Sequence, residues 1–398
     1  MINSYNIPLM RNAFLDEKSV RNDLANFVLR TEKFSMGSEC RKFESNFAKW
    51  TGSKYAVLVN SGGSANLVML QVLKNSGILK IGDKVGFTAL TWSTNIFPII
   101  QHGLEPIPID INPQLLNCTY EQVVNSIEKN NLSCLFLTNV LGYSSDLPRI
   151  KEYCKNKNVI LLEDNCESLG TILWDNSLTG SHGLMSSHSF FIAHHMSTIE
   201  GGMIITENFE IYEALKMARA NGWDRDLSVD TQQKLRNEYN IEDEFRSKYT
   251  FYDIGFNIRP TEITGFLGNH QLKFLTENVK RREINYSRIL EATKNNNDLV
   301  QFDHTLHKKI SNFAMVFIFK NESLMATYKK RFLENSIEIR PIIAGNMTRQ
   351  PFYEKYNLIS LNLPNTDFVD SCGFYCGNYP DMTDKDISLI VSCLNQNS

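Results

Sequence analysis

Hydrophobic and polar positions follow two periods along the first two thirds of the chain. Short apolar runs of strand length lie at residues 55–59, 84–87, 134–137 and 159–162. Stretches with helical spacing separate them, at residues 64–73, 92–100 and 147–155. Strands alternating with helices predict crossover units and a largely parallel sheet. Runs at 187–192 and 203–206 predict two further strands joined through the turn signal Gly201-Gly202. Residues 224–248 are polar and charge-rich and read as an irregular excursion, followed by one long charged helix over 262–290. Beyond it the pattern predicts a strand at 314–319, a helix at 323–334 and a strand at 337–339. The expected architecture is α/β: a large unit over residues 1–270 with an amino-terminal arm and a mostly parallel, seven-stranded type of sheet. A smaller α+β unit over 271–398 includes the long helix.

Composition narrows the function. The 398 residues are 42% hydrophobic and 21% charged, with a formal charge of −3. This is ordinary for a globular protein, and no basic excess asks for nucleic acid or an anionic membrane as partner. No segment approaches the ~20 consecutive apolar residues of a membrane span. The start, Met1-Ile2-Asn3-Ser4-Tyr5-Asn6, lacks the basic-then-apolar signature of an export signal, so a cytoplasmic protein is expected. The eight cysteines are scattered and read as reduced thiols. Only Cys372 and Cys376 are close, and a metal or iron–sulfur site normally wants four ligands. Neither a metal nor an iron–sulfur cluster is expected.

Three stretches carry candidate chemistry. Asn60-Ser61-Gly62-Gly63-Ser64-Ala65-Asn66 follows a strand and opens a helix, where glycine permits close backbone approach and unpaired N–H groups suit a phosphate. A Gly-Ser turn that merely caps a helix has the same pattern. Val159-Ile160-Leu161-Leu162-Glu163-Asp164-Asn165-Cys166-Glu167 is an apolar strand ending in carboxylates, at the end of an α/β strand where ligands collect. A solvated strand end reads identically. The third stretch runs Ser189-Phe190-Phe191-Ile192-Ala193-His194-His195 and on to Glu200-Gly201-Gly202. Its histidines could exchange protons near neutral pH, or be structural. As zinc ligands they lack a third partner at useful spacing.

In this order, with Trp92 after a strand, the stretches resemble the sugar aminotransferase family of fold-type I pyridoxal phosphate enzymes. The resemblance spans the whole chain and includes Phe256-Asn257-Ile258-Arg259-Pro260-Thr261-Glu262. Those aminotransferases place a coenzyme-binding lysine five residues after the serine. Here that position is His194, and no lysine lies between Lys157 and Lys216. The same departure marks a branch of 3-dehydratases acting on nucleotide-linked 4-keto-6-deoxy sugars. A sister branch with an iron–sulfur cluster fits the cysteine spacing poorly.

The resemblance implies pyridoxal 5′-phosphate and its pyridoxamine form as cofactor, L-glutamate as amino donor and GDP as the sugar's nucleotide. It implies His194 as the acid–base catalyst, because an imidazole moves protons without tethering the coenzyme. Asp164 would meet the ring nitrogen and Trp92 the ring face. Gly62, Gly63 and Ser189 would hold the phosphate, and Glu167 would meet the ring hydroxyl. Asn257 would reach the phosphate of a neighbouring subunit in a homodimer with shared active sites. Arg259, Arg340 and His195 are candidates on the substrate side; for Arg340 an ordinary surface arginine is an equal reading. His195 is also the alternative acid–base group. Two rivals remain: a true aminotransferase, which requires lysine at 194, and a non-catalytic binding module on the same fold.

Overall fold

The carboxyl ends of two neighbouring parallel strands lie side by side in the central sheet, and strand order brings them together. The computed structural model describes residues 5–395; the first four residues, part of the segment read for an export signal, lie outside it. In chain order the strands are β1 (Tyr55–Val59), β2 (Lys84–Thr88), β3 (Glu105–Ile109), β4 (Cys134–Thr138), β5 (Ile160–Asp164), the short β6 (Ile172–Leu173), β7 (Met185–Ser189) and β8 (Gly202–Thr206). They continue with β9 (His307–Lys309), β10 (Ala314–Ile318), β11 (Ile339–Pro341) and β12 (Gly373–Gly377).

The central sheet has seven strands in the order β1-β8-β7-β5-β4-β2-β3. Neighbours from β7 to β3 are parallel, whereas β8 lies antiparallel to both β1 and β7. Every residue of β4 and of β8 is buried, as expected where helices cover both faces of a sheet. Asp164, the last residue of β5, pairs with Ser187 of β7. A second sheet, β10-β12-β11, is antiparallel, and β6 pairs with β9. One apolar cluster runs from Ile107, Leu135 and Leu161 of the central sheet to Phe317 and Phe374 of the second. Burial of those side chains fixes the two sheets to each other.

The sequence reading needs correction at several places. The helix expected over 262–290 is two helices, Glu262–Leu272 and Leu275–Thr293. The break lets Leu275 and Val279 join a core cluster with Phe190. The stretch 92–100 is not one helix. Trp92 is extended, Ser93–Asn95 forms a 3-10 turn, and a helix starts only at Phe97 because Pro98 tolerates just the first turn. The strand expected at 187–192 is Met185–Ser189, after which the chain leaves the sheet. The polar excursion contains helices Val229–Glu238 and Glu244–Ser247, capped by the Ser228 and Asp243 side chains. The strand expected at 337–339 is Ile339–Pro341.

Candidate active site

The site is built on a pinned carboxylate. Asp164 is buried, and its Oδ2 accepts hydrogen bonds from Asn66 Nδ2 at 2.8 Å and Asn95 Nδ2 at 2.9 Å. Its Oδ1 accepts from the Cys166 backbone N–H at 3.0 Å. Three donors keep a buried charge tolerable and fix its direction. Asn95 comes from the 3-10 turn after Trp92, and Asn66 from the helix Gly62–Asn75.

That helix begins at the glycine cup. Ser61 caps it, its side chain accepting from the Ser64 N–H, so the amides of Gly62 and Gly63 open the helix without intrahelical partners. A Cβ added at Gly62 would lie 2.8 Å from Ser189 Cβ and 3.0 Å from Cys166 Sγ. Only glycine allows the helix start to approach β7 so closely. Gly202 is tighter still, since a Cβ there would sit 2.3 Å from the backbone carbon and oxygen of Ser61.

His194 lies in the turn after β7. Its Nδ1 is 2.8 Å from the Cys166 carbonyl oxygen. A carbonyl can only accept, so Nδ1 carries the proton and Nε2 presents a lone pair. Burial lowers the imidazole to about 4, against the upward pull of the Cys166 carbonyl and of Asp164. The ring is therefore a neutral base at pH 7. Nearby, Glu167 Oε2 accepts from the Leu141 N–H at 3.0 Å. Burial pushes this carboxyl up to about 8, so it is protonated at neutral pH.

These groups share a cavity of about 500 Å³ lined by Gly62, Gly63, Trp92, Asp164, Glu167, Ser189 and His194. The second sheet contributes Tyr375 and Gly377 to its wall. Four of the sequence candidates lie elsewhere. His195 is buried, its Nε2 bonded to the Ser311 carbonyl oxygen at 3.0 Å. Arg340 pairs with Glu338 on the surface. Asn257 is exposed and accepts from Arg259 Nε at 3.2 Å, and the Arg259 guanidinium lies 5.4 Å from the centre of the Trp223 ring. Sequence reasoning missed Asn66 and Asn95, which hold Asp164, and the Cys166 carbonyl, which sets the tautomer of His194. Asn66 was legible in part: it follows Gly62 by one helical turn and so shares its face. The carbonyl leaves no signal in residue type. Among the described residues no group of three His, Cys, Asp or Glu is arranged to hold a metal, and Cys372 and Cys376 are both buried.

Residues 16–395 match the DegT/DnrJ/EryC1/StrS aminotransferase family. The chain belongs to this family. Relatives within it carry the likeness further. The GDP-4-keto-6-deoxy-D-mannose 3-dehydratase of Escherichia coli O55:H7 is 33% identical over 384 residues, covering 94% of this chain and 95% of that protein. The solved structure of an E. coli GDP-4-keto-6-deoxy-D-mannose-3-dehydratase with bound hydrated PLP superposes with a TM-score of 0.90 at 32% identity, covering 99% of this chain and all of that one. A GDP-4-keto-6-deoxymannose-3-dehydratase with a trapped PLP-glutamate geminal diamine superposes with a TM-score of 0.89 at 32% identity, over 98% of this chain and 100% of that one. The seven-stranded central sheet described above is part of the fold that superposes on these structures.

Proposed function

We propose that the protein is a pyridoxal phosphate-dependent 3-dehydratase of a nucleotide-linked 4-keto-6-deoxy sugar, with GDP as the nucleotide and L-glutamate as amino donor. The observation that carries this reading is an imidazole, not an amine, on the cavity wall, with Nδ1 bonded away and Nε2 free. The rest of the cavity fits the coenzyme. Gly62 and Gly63 offer helix-start amides to its phosphate, beside the Ser189 hydroxyl. Asp164, pinned by two asparagines, is aimed to hold a protonated ring nitrogen. Trp92, 53% exposed at the cavity, offers an indole face for stacking. The protonated Glu167 can donate to a ring hydroxyl.

When bound in its amine form, the coenzyme supplies a nitrogen that condenses with the C4 ketone and the two electrons that replace C3–OH by C3–H. His194 accepts a proton at Nε2 and returns it to the C3 hydroxyl oxygen as it departs. Because His194 forms no stable bond to an aldehyde, the amine form stays free to react with sugar. The C2-symmetric homodimer implied by the family likeness is supported by exposed Phe245, Tyr249, Phe251 and Ile254, in the segment leading to Asn257.

Two measurements test this. Added pyridoxal phosphate gives a free-aldehyde absorption band, which glutamate converts to the pyridoxamine band. With a GDP-linked 4-keto-6-deoxy sugar, mass spectrometry shows a product lacking the C3 oxygen. A His194→Lys protein takes up coenzyme but makes no deoxy product. Dehydration at an undiminished rate in that variant removes His194 from the chemistry.

A further inference from the structure

An untethered imidazole must be placed by protein contacts alone, and those contacts come from an element far away in sequence. His194 lies five residues beyond β7, outside the sheet ladder. Its own N–H bonds locally to the Phe191 carbonyl at 2.9 Å. The two carbonyls of the His194-His195 pair are held instead by the helix Leu275–Thr293. Arg282 Nη2 donates to the His194 carbonyl at 3.3 Å, and Asn278 Nδ2 donates to the His195 carbonyl. Arg282 and Asn278 sit one turn apart on the helix and bond each other, Arg282 Nε to Asn278 Oδ1 at 3.0 Å.

Arg282 is itself fixed. It is 4% exposed, and its Nη1 donates to the carbonyls of Phe313 and Asn378. All these partners are neutral oxygens, and the nearest opposing charge, Asp381, acts only at longer range. A buried guanidinium without an ion pair is costly. Its fork is spent on joining the histidine turn to the strand ends of the second sheet.

We infer that Arg282 and Asn278 are positioning residues for His194, clamping the turn that carries it; this rests on the functional reading above. The charge has a second effect. The titratable groups that line the cavity with His194 are Asp164 at the end of β5, Cys166 and Glu167 just beyond it, Glu200 and Tyr375, while Arg282 on the helix acts on the ring from outside the cavity. Of these the guanidinium is the fixed positive charge, and it opposes protonation of His194.

The test is a titration of protein selectively labelled with ¹⁵N-histidine, loaded with coenzyme and also without it. In the wild type the His194 Nδ1–H tautomer persists to well below neutral pH. In Arg282→Gln the midpoint of His194 rises above the wild-type value, kcat falls, and KM for the nucleotide sugar hardly changes. Arg282→Lys, which keeps the charge, returns the midpoint towards the wild-type value. If Arg282→Gln does not fold, Asn278→Ala decides: the His194 and His195 resonances broaden while the midpoint stays. A folded Arg282→Gln with the wild-type midpoint and tautomer, or an Asn278→Ala with unchanged histidine resonances, overturns the clamp. Wild-type protein with the expected titration but no dehydratase turnover overturns the functional reading and leaves the clamp in place.

Discussion

At the scale of single residues, the site is a set of directions fixed before any ligand arrives. Asp164 cannot swing because each oxygen is already bonded, and His194 cannot change tautomer while the Cys166 carbonyl occupies Nδ1. The glycine cup is equally specific. Gly62→Ala drives a methyl against Ser189 and Cys166, and the expected result is a coenzyme affinity reduced by at least about tenfold in a spectral titration. Gly63→Ala is milder, since the new methyl meets only Thr94 Cγ2 at 3.0 Å, the end of a side chain that can turn. Equal losses in the two variants contradict the geometry. Side chains with unusual chemistry were visible in the sequence because residue type announces them. What holds them was mostly not visible: Asn66 showed only in its one-turn spacing from Gly62, and Asn95, a backbone carbonyl and Arg282 meet the site only through the fold, from three further segments.

At the scale of elements, legibility followed how far a segment's own pattern decided its structure. Strands β1, β2, β4 and β5 stood close to where apolar runs lay. β3 was missed because Pro106 and Pro108 argue against a strand, and the fold admits them only at the sheet edge. The break between helices Glu262–Leu272 and Leu275–Thr293 is a tertiary choice that charge periodicity cannot register. Another tertiary choice is the start of helix Ser38–Thr51, whose N-cap Gly37 offers no side chain. Glu262 supplies the cap from across the molecule, accepting from the N–H groups of Gly37 at 2.7 Å, Glu39 at 3.0 Å and Cys40 at 3.0 Å. Burial alone would raise this carboxyl, but the three amides hold it below the ordinary range. Its stabilisation is therefore present above that range and lost as pH falls through the depressed value. Glu262→Gln should cost about 1–3 kcal/mol of unfolding free energy at pH 7, read by denaturant melts. The deficit should shrink in acid, and a constant deficit contradicts an ionised cap.

At the scale of the whole molecule, neutral histidines sit in the interior. Burial lowers His188 to about 3, and His194 and His307 to about 4, against 6.5 when unfolded. Below pH 6.5 the unfolded chain binds protons that the folded chain refuses, so stability falls as pH drops from there towards 4. Glu167, raised to about 8 from 4.5, works the opposite way and removes stability as pH rises between those values. The expected melting temperature without coenzyme peaks near pH 6.5 and falls more steeply on the acid side. His188→Gln should flatten the acid slope, and an unchanged slope would show that this histidine is protonated when folded.

The close approach of Gly202 to Ser61 has a consequence for motion. With no room for even a methyl between them, the Glu200-Gly201-Gly202 turn and the start of helix Gly62–Asn75 form a single wall built of two backbones. Occupying one side must quieten the other. Inorganic phosphate in the cup is therefore expected to slow deuterium uptake at Gly201 and Gly202 across that wall.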